Sequence, residues 1–535
     1  MSIYRLRTEF GQHLKWVMLG IAVIFIVGAI FTFGAMPGGQ NGQNVKGKSD
    51  VVATVNGLEI TRGEFEGLWE RASEEARSQG IRSPLQYADY RAMMFQQMVQ
   101  SRLILSAAEE MGVDISDRKV NEEIDKEIVK ALSANRESIM GSDLTKAEKK
   151  LDPRKDPDYK KALASVDRSI GQMEDAVRNQ VPTENIRAKL AYDGIQKKIE
   201  QSIKTVTEQD VKNSYNVYKI RQIVLMKGQL PEDQLKTRTD KIMKEIRGGG
   251  DFAKLAKENG GPMGSGSAID YSFDMRFMYP TEVREAIEKL KPGGVSSPVE
   301  TDYGTFIVKL ESVTPKMPAK MDEKTTTERR KQIAEDRKTS VLMAFQSKMQ
   351  KNQKVKVNDK ELLAYWQISE ARQSFSDQAK AKKLMASAID SLKNARTDRQ
   401  DNRIITAKLA QMLYQDGKVK DGLDLLYPML EGENATDEGA DLRMLLGDML
   451  MAQGAKEKPD AKATSVAKAM EQYKIAGEVA RNDKNTHQQL LSKYQQLGKP
   501  ELADAEQKWI TDYDARVKAM QSEQQNNAPR SKSKK

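Results

Sequence analysis

The spacing of hydrophobic residues changes character along this chain, and each change predicts a different element. From Trp16 to Met36 the stretch WVMLGIAVIFIVGAIFTFGAM holds no charged residue. At about 1.5 Å of rise per residue it is long enough to cross a hydrocarbon core of about 30 Å. It is apolar on every face, which does not suit a soluble helix, and it outruns the apolar core of about 7–15 residues in a cleavable signal. A membrane anchor is therefore expected. At VVATVNGLEI the period drops to two around the pair Asn56-Gly57, which predicts a small hairpin. Thr61 and Glu64 then have the spacing of a capping box at a helix start.

Helical spacing follows. YADYRAMMFQQMVQSRLILSAAEEMG carries Met94, Met98, Leu103 and Leu105 and stops at Gly112, and ISDRKVNEEIDKEIVKAL repeats the pattern at Val120, Ile124 and Ile128. GSDLTKAEKKLDPRKDPDYKK reads as a charged linker, and two more helices are expected over roughly Ser165 to Ser202. Thr207 with Asp210 marks a further helix start. KIRQIVLM has the β-branched enrichment of a strand, PEDQLKTRTDKIMKEIRGGG and DFAKLAKENGG are helices, and a loop and a helix ending near Leu290 follow. Together with Lys291 to Leu310, which alternates as two short strands, these predict a compact unit of strand, three helices and two strands. Beyond about Lys320 the pattern turns wholly helical. Gly417, Gly454 and Gly498 each fall between two amphipathic segments, at spacings near the 34-residue tetratricopeptide period. A short solenoid and an ordinary helical bundle both fit.

Charge changes the picture at the anchor. Arg5, Arg7 and Lys15 precede the apolar span, and PGGQNGQN leads away from it, so the amino terminus is expected in the cytoplasm and the bulk outside. The net charge of +10 is spread among acidic neighbours, as on a solvated surface, and does not predict a nucleic-acid groove. Cysteine is absent, which excludes thiolate metal sites, disulfides and cysteine nucleophiles. The two histidines, His13 and His487, are too few and too far apart for a catalytic pair or metal cluster, so neither metal nor cofactor is expected. GGPMGSGS lacks the lysine of a phosphate-binding loop. Glu109-Glu110 are helix neighbours that do not share a face. Most of the 26 methionines suit helix cores, and a few suit an adaptable apolar surface.

KPGGVSSPVETDYGTFIVKL, Lys291 to Leu310, resembles the closing segment of parvulin-type (PpiC-type) peptidyl-prolyl isomerases, whose pattern is close to KPGEVSxPVxTxxGxHIIKL. Pro292, Gly293, Val295, Ser296, Pro298, Val299, Thr301, Gly304, Ile307 and Lys309 fall in register without a gap. DFAKLAKENG resembles the family's DFxxLAxxxS, and IRQIVL its opening xRHILV. The front, VATVNGLEITRGEFE and LILSAAEEMGVDISDRKVNEEI, is similar to the chaperone region of SurA/PpiD-type envelope proteins, and the single anchor matches the PpiD type. The resemblance implies a mainly α fold with a small α+β domain. Its expected parts are a cytoplasmic amino terminus (1–15), an anchor (16–36), a tether (37–50) and a SurA/PpiD-like chaperone domain (51–216). A parvulin-like domain (217–316), a helical connector (317–360), tetratricopeptide-like repeats (361–520) and a disordered basic tail (521–535) complete it. The repeats lie outside the PpiD pattern.

The resemblance also says what is missing. Active parvulins carry a histidine in the opening strand, where Gln222 stands, a cysteine or aspartate where Gly261 stands, and a second histidine where Phe306 stands. Met278 falls at the family's methionine and Val283 near its phenylalanine. No catalytic residue is expected intact, and these five positions are expected to line a peptide site. The resulting expectation is an inner-membrane, single-pass, extracytoplasmic chaperone with a degenerate isomerase site. Its partners would be unfolded or newly exported proteins, the translocation channel and the bilayer. An active isomerase and a repeat-based scaffold are the alternatives.

Overall fold

The computed structural model describes residues 50–78, 81–127, 183–227, 232–260, 266–301, 303–318, 321–374, 377–399, 402–431 and 439–527. The expected anchor, the tether, the charged linker and Gly261 lie outside these residues. Among the described residues, no helix is long and apolar enough to cross a membrane. The protein is mostly α-helical, with two small antiparallel sheets and a helical carboxy-terminal region.

The first sheet begins with the predicted hairpin, β1 (Val51–Val55) and β2 (Leu58–Thr61). Asn56 and Gly57 take φ of 49° and 91°, the two positive angles that a tight two-residue hairpin turn requires. The Glu64 carboxylate accepts from Thr61 N at 2.8 Å while Thr61 Oγ1 accepts from Glu64 N at 3.2 Å, which starts α1 (Arg62–Ser78). The third strand, β7 (Val355–Val357), departs from the all-helical expectation beyond Lys320. Asn56 N donates to Lys354 O and Asn358 N donates to Val52 O. A three-residue VKV strand whose partner lies so far upstream leaves no periodic trace in its own neighbourhood. α2 (Pro84–Glu110) stops at Gly112, with φ 63°, as predicted.

The chain divides into two units. The first holds Thr54–Glu59 and Gln97–Val355, the second Lys48–Ala53, Ile60–Gln96 and Lys356–Lys535. In the first, α3 (Thr183–Ser202) buries Ala191, Ile195 and Ile199 against Leu105 and Ala108 of α2. α4 (Glu208–Asn213) carries the predicted cap: Asp210 N donates to Thr207 Oγ1, and the Asp210 carboxylate accepts from Thr207 N. The second sheet has the order β4-β3-β6-β5, built from β3 (Asn216–Met226), β4 (Ile269–Ser272), β5 (Val299–Glu300) and β6 (Gly304–Pro315). α5 (Glu232–Arg247), α6 (Phe252–Asn259) and α7 (Thr281–Lys289) lie between its strands in sequence, and α8 (Glu323–Lys351) follows it. β4 falls where the sequence predicts a loop. Its IDYS is too short to show a period, and it is a strand because Val217–Ile220 of β3 pairs with it.

In the second unit, α9 (Lys360–Gln373), α10 (Gln378–Asp398), α11 (Arg403–Gln415), α12 (Val419–Leu430), α13 (Ala440–Gly454), α14 (Pro459–Val479), α15 (Lys484–Gln496) and α16 (Pro500–Asn527) pack as consecutive pairs. Gly417 and Gly498 take the positive φ of a tight turn, 79° and 63°. Gly454 differs: it ends α13 and is buried, and a Cβ there would stand 3.0 Å from Ser465 Cβ, so it serves close helix approach. α16 continues to Asn527, past position 521, through a run of good helix formers. Leu85 of α2 shares the apolar cluster of Leu423, Leu442 and Leu446. Beneath α1 and α2, Arg91 donates to Glu361 at 2.7 Å, Arg399 donates to both Glu361 and Asp359, and Tyr365 donates to Glu361.

Candidate functional site

β3 and β6 pair from Asn216↔Pro315 to Met226↔Gly304, with a bulge between Lys219 and Ile220. Alternation sends their side chains to two faces. Ile223, Leu225 and Ile307 go to one, packed with Leu235, Ile242, Phe252 and Leu255 of α5 and α6. Ile220, Val224, Phe306, Val308 and Leu310 go to the other, packed with Tyr271 of β4 and with Val283 and Ile287 of α7. Gln222 belongs by register to this second face, opposite Val308, and Phe306 stands opposite Val224.

The motif that carries the family resemblance builds this face and turns out to be scaffold. Ser296 N donates to Val308 O and Ser296 Oγ accepts from Val308 N, both near 3 Å. Thr301 Oγ1 accepts from Tyr303 N and Gly304 N, closing the turn into β6. Gly304 takes φ 154°, and a Cβ there would fall 2.1 Å from Leu225 O, so only glycine lets the two strands meet. Ser296 and Thr301 are buried and satisfied by these bonds.

Of the five expected positions, Gln222, Val283 and Phe306 are brought to one face, and all three are buried. Gly261 lies outside the described residues. Met278 is not gathered with them. It ends a 3₁₀ segment, Phe273–Met278, and is 53% exposed, beside Phe277 at 70%. The face at Phe306 is thus packed core, and the exposed apolar surface sits on the lip that leads into α7.

Sequence reasoning missed the groups around that lip. Tyr271 stands 5.8 Å from Tyr218 and 5.4 Å from Tyr279, ring centre to ring centre. Burial pushes the Tyr279 hydroxyl up to about 12 and that of Tyr271 still further from its ordinary range. Arg276 donates to Glu288 and to Asp336, and Arg284 donates to Asp336 as well. Burial alone would weaken the Arg276 proton, but Glu288 and Asp336 outweigh it and hold the guanidinium more firmly charged than usual. Asp336 lies far downstream on a charged helix, where no local pattern sets it apart. Exposed Phe277, next to Met278 and Tyr279-Pro280, was the available signal. Among the described residues, no cluster of histidine and carboxylate side chains could hold a metal ion. What the described residues show here is an apolar lip held by charges.

The small antiparallel sheet with helices on either face lies within a stretch that a family model matches. A model of the PPIC-type PPIASE domain matches residues 206–324, and one of the SurA-like N-terminal domain matches residues 8–140. A parvulin-type domain is therefore fused here to a SurA-like amino-terminal domain, the arrangement of PrsA-type foldases. Foldase protein PrsA of Caldanaerobacter subterraneus subsp. tengcongensis is 27% identical over 286 residues, 50% of this chain and 75% of that protein. Foldase protein PrsA of a Geobacillus species is 32% identical over 201 residues, 35% of this chain and 63% of that protein. The crystal structure of foldase protein PrsA from Streptococcus pneumoniae covers 58% of this chain and 97% of its own at 20% identity, with a TM-score of 0.22.

Proposed function

We propose that this chain is a membrane-anchored, extracytoplasmic folding factor whose parvulin-type domain binds unfolded segments and turns proline bonds poorly. The carrying observation is the pair Gln222 and Phe306: both stand where the resemblance calls for histidines, and both are buried in the sheet face. Prolyl isomerisation breaks no bond. Its barrier of about 18–20 kcal/mol comes from amide resonance, and an enzyme must hold the ring and stabilise the twisted amide with preorganised polar groups. A phenylalanine on that face offers apolar surface and no donor. Phe277 and Met278 remain available to grip apolar side chains of a client, weakly and adaptably, as release without ATP demands.

The apolar span Trp16–Met36 supports a single-pass anchor in the bacterial inner membrane with the amino terminus inside and the lipid bilayer as one partner. The similarity to foldases supports unfolded or newly exported proteins as clients, and a membrane anchor would bring the chain within reach of the translocation channel as a further partner. The paired helices of the second unit resemble tetratricopeptide repeats, suited to recruiting a protein partner. No nucleic acid, metal or cofactor enters this reading.

Two assays on the full chain test it together. The protein should suppress aggregation of an unfolded client at near-stoichiometric ratio. In a protease-coupled assay on a short X-Pro peptide it should give little acceleration, and the double variant Gln222→His, Phe306→His should raise that rate. A large wild-type rate that Gln222→Ala abolishes would establish the second reading, an active isomerase, which the match of residues 206–324 to the PPIC-type family favours. Aggregation suppression absent, with function lost on removing residues after about 360, would instead establish a scaffold.

A further inference from the structure

The 3₁₀ segment that presents Phe277 and Met278 is held from outside its own domain sequence. α8 reaches it by two ion pairs, Arg329 donating to Asp274 at 2.7 Å and Arg276 donating to Asp336 Oδ2 at 2.7 Å, while Arg284 of the adjoining α7 donates to Asp336 Oδ1 at 2.9 Å. Phe273 lies between two guanidiniums, 5.0 Å from Arg276 and 5.1 Å from Arg329. Arg276 turns its other edge to Glu288 of α7. Arg284 is nearly buried; Ser340 and Thr281 take one of its nitrogens, and its Nε has no hydrogen-bond partner among the described residues. One carboxylate thus ties the segment to α7, with each oxygen serving a different arginine. Such charge-assisted bonds are about twice as strong as neutral ones.

We propose that Asp336 is the positioning residue of the lip: its bridge between Arg276 and Arg284 holds residues 273–278 in the single turn that turns Phe277 and Met278 toward an unfolded client. This rests on the reading of the lip as a client site. Without the bridge, Arg329, Glu288 and the packing of Phe273 against Val206, Val211 and Ile333 still hold the start of the segment, but its exposed end at Phe277 and Met278 loses the tie to α7, so it samples other turns and offers its apolar pair less of the time. The apparent affinity falls by the fraction of time that the competent turn is lost.

The test uses the full chain in detergent micelles and a fluorescent, carboxymethylated, permanently unfolded protein as probe. Asp336→Asn keeps the shape and removes the charge. It should speed amide exchange at residues 273–278 by about tenfold, leave α3 unchanged, and weaken probe binding about three- to tenfold. Asp336→Glu should restore both. The double variant Phe277→Ser, Met278→Ser should weaken binding by itself, and Asp336→Asn added to it should weaken binding no further. Unchanged exchange at 273–278, or unchanged affinity while the Phe277, Met278 variant binds weakly, overturns the positioning role and leaves the client reading intact. Full-strength binding by the Phe277, Met278 variant overturns the client reading and the positioning role with it.

Discussion

Two charge clusters organise this protein, and they are built to different specifications. In the second unit, Arg91 and Glu361 are 6% and 1% exposed, and Asp359, Arg399 and Tyr365 complete the set. In the first unit, Arg276 and Asp336 are 19% and 24% exposed, next to a lip that is largely solvated. The Arg91 guanidinium also lies 4.8 Å from the Phe65 ring centre and 5.0 Å from that of Trp69. A buried set of that kind contributes little net stability but cannot tolerate the loss of one member. A half-solvated bridge can open and reclose at modest cost. The first kind fixes which chain segments meet, and the second sets how an exposed surface is presented.

The largest expected effect comes from breaking the buried cluster. Glu361→Ala leaves Arg91 to Glu66 and Arg399 to Asp359 and takes the acceptor from the Tyr365 hydroxyl, so the buried cluster loses its central carboxylate and stability should fall by about 3 kcal/mol in chemical unfolding. Acid should attack the same cluster. Burial raises the Asp359 pKa, but the Leu362 amide and the Arg399 and Arg62 guanidiniums outweigh it and hold the carboxyl below its usual value. Its contribution is therefore complete above the unfolded pKa of about 4 and is lost as pH falls below that. Asp359→Asn should flatten the decline of urea midpoints below about pH 4, an effect smaller than that of Glu361→Ala. Asp336→Asn should cost about 1–2 kcal/mol, and added salt should shrink the difference between variant and wild type. Phe277→Ser removes an exposed side chain and should leave stability within about 0.5 kcal/mol while weakening client binding. If Asp336→Asn matched Glu361→Ala in unfolding experiments, the contrast between the clusters would be void.

The sequence announced what is local. The Asn56-Gly57 turn, the Thr61–Glu64 and Thr207–Asp210 boxes and the Gly112, Gly417 and Gly498 stops each depend on neighbours within a few residues, and each is found. The register of β3 on β6, and with it the shared face of Gln222 and Phe306, follows from alternation through KIRQIVLM and GTFIVKL. β4 and β7 were not legible, because strands of four and three residues exist only through partners far away in the chain. The lip was half legible. Met278 could be placed through the family pattern, but its separation from the Phe306 face could not. Asp336 could not be placed at all, since a carboxylate on a charged helix looks solvated until its two arginines are seen.

One consequence of the first sheet concerns the order in which the protein is made. Asn56 accepts a hydrogen bond from the backbone of Lys354, 298 positions later. At about 5–20 residues per second, the leading hairpin waits roughly 15–60 s for the strand that completes it. For that interval β1 shows an open edge to every nascent chain around it, the kind of edge that recruits stray strands. The first sheet is thus completed late, and a chain cut short before residue 355 would carry that sticky edge for good.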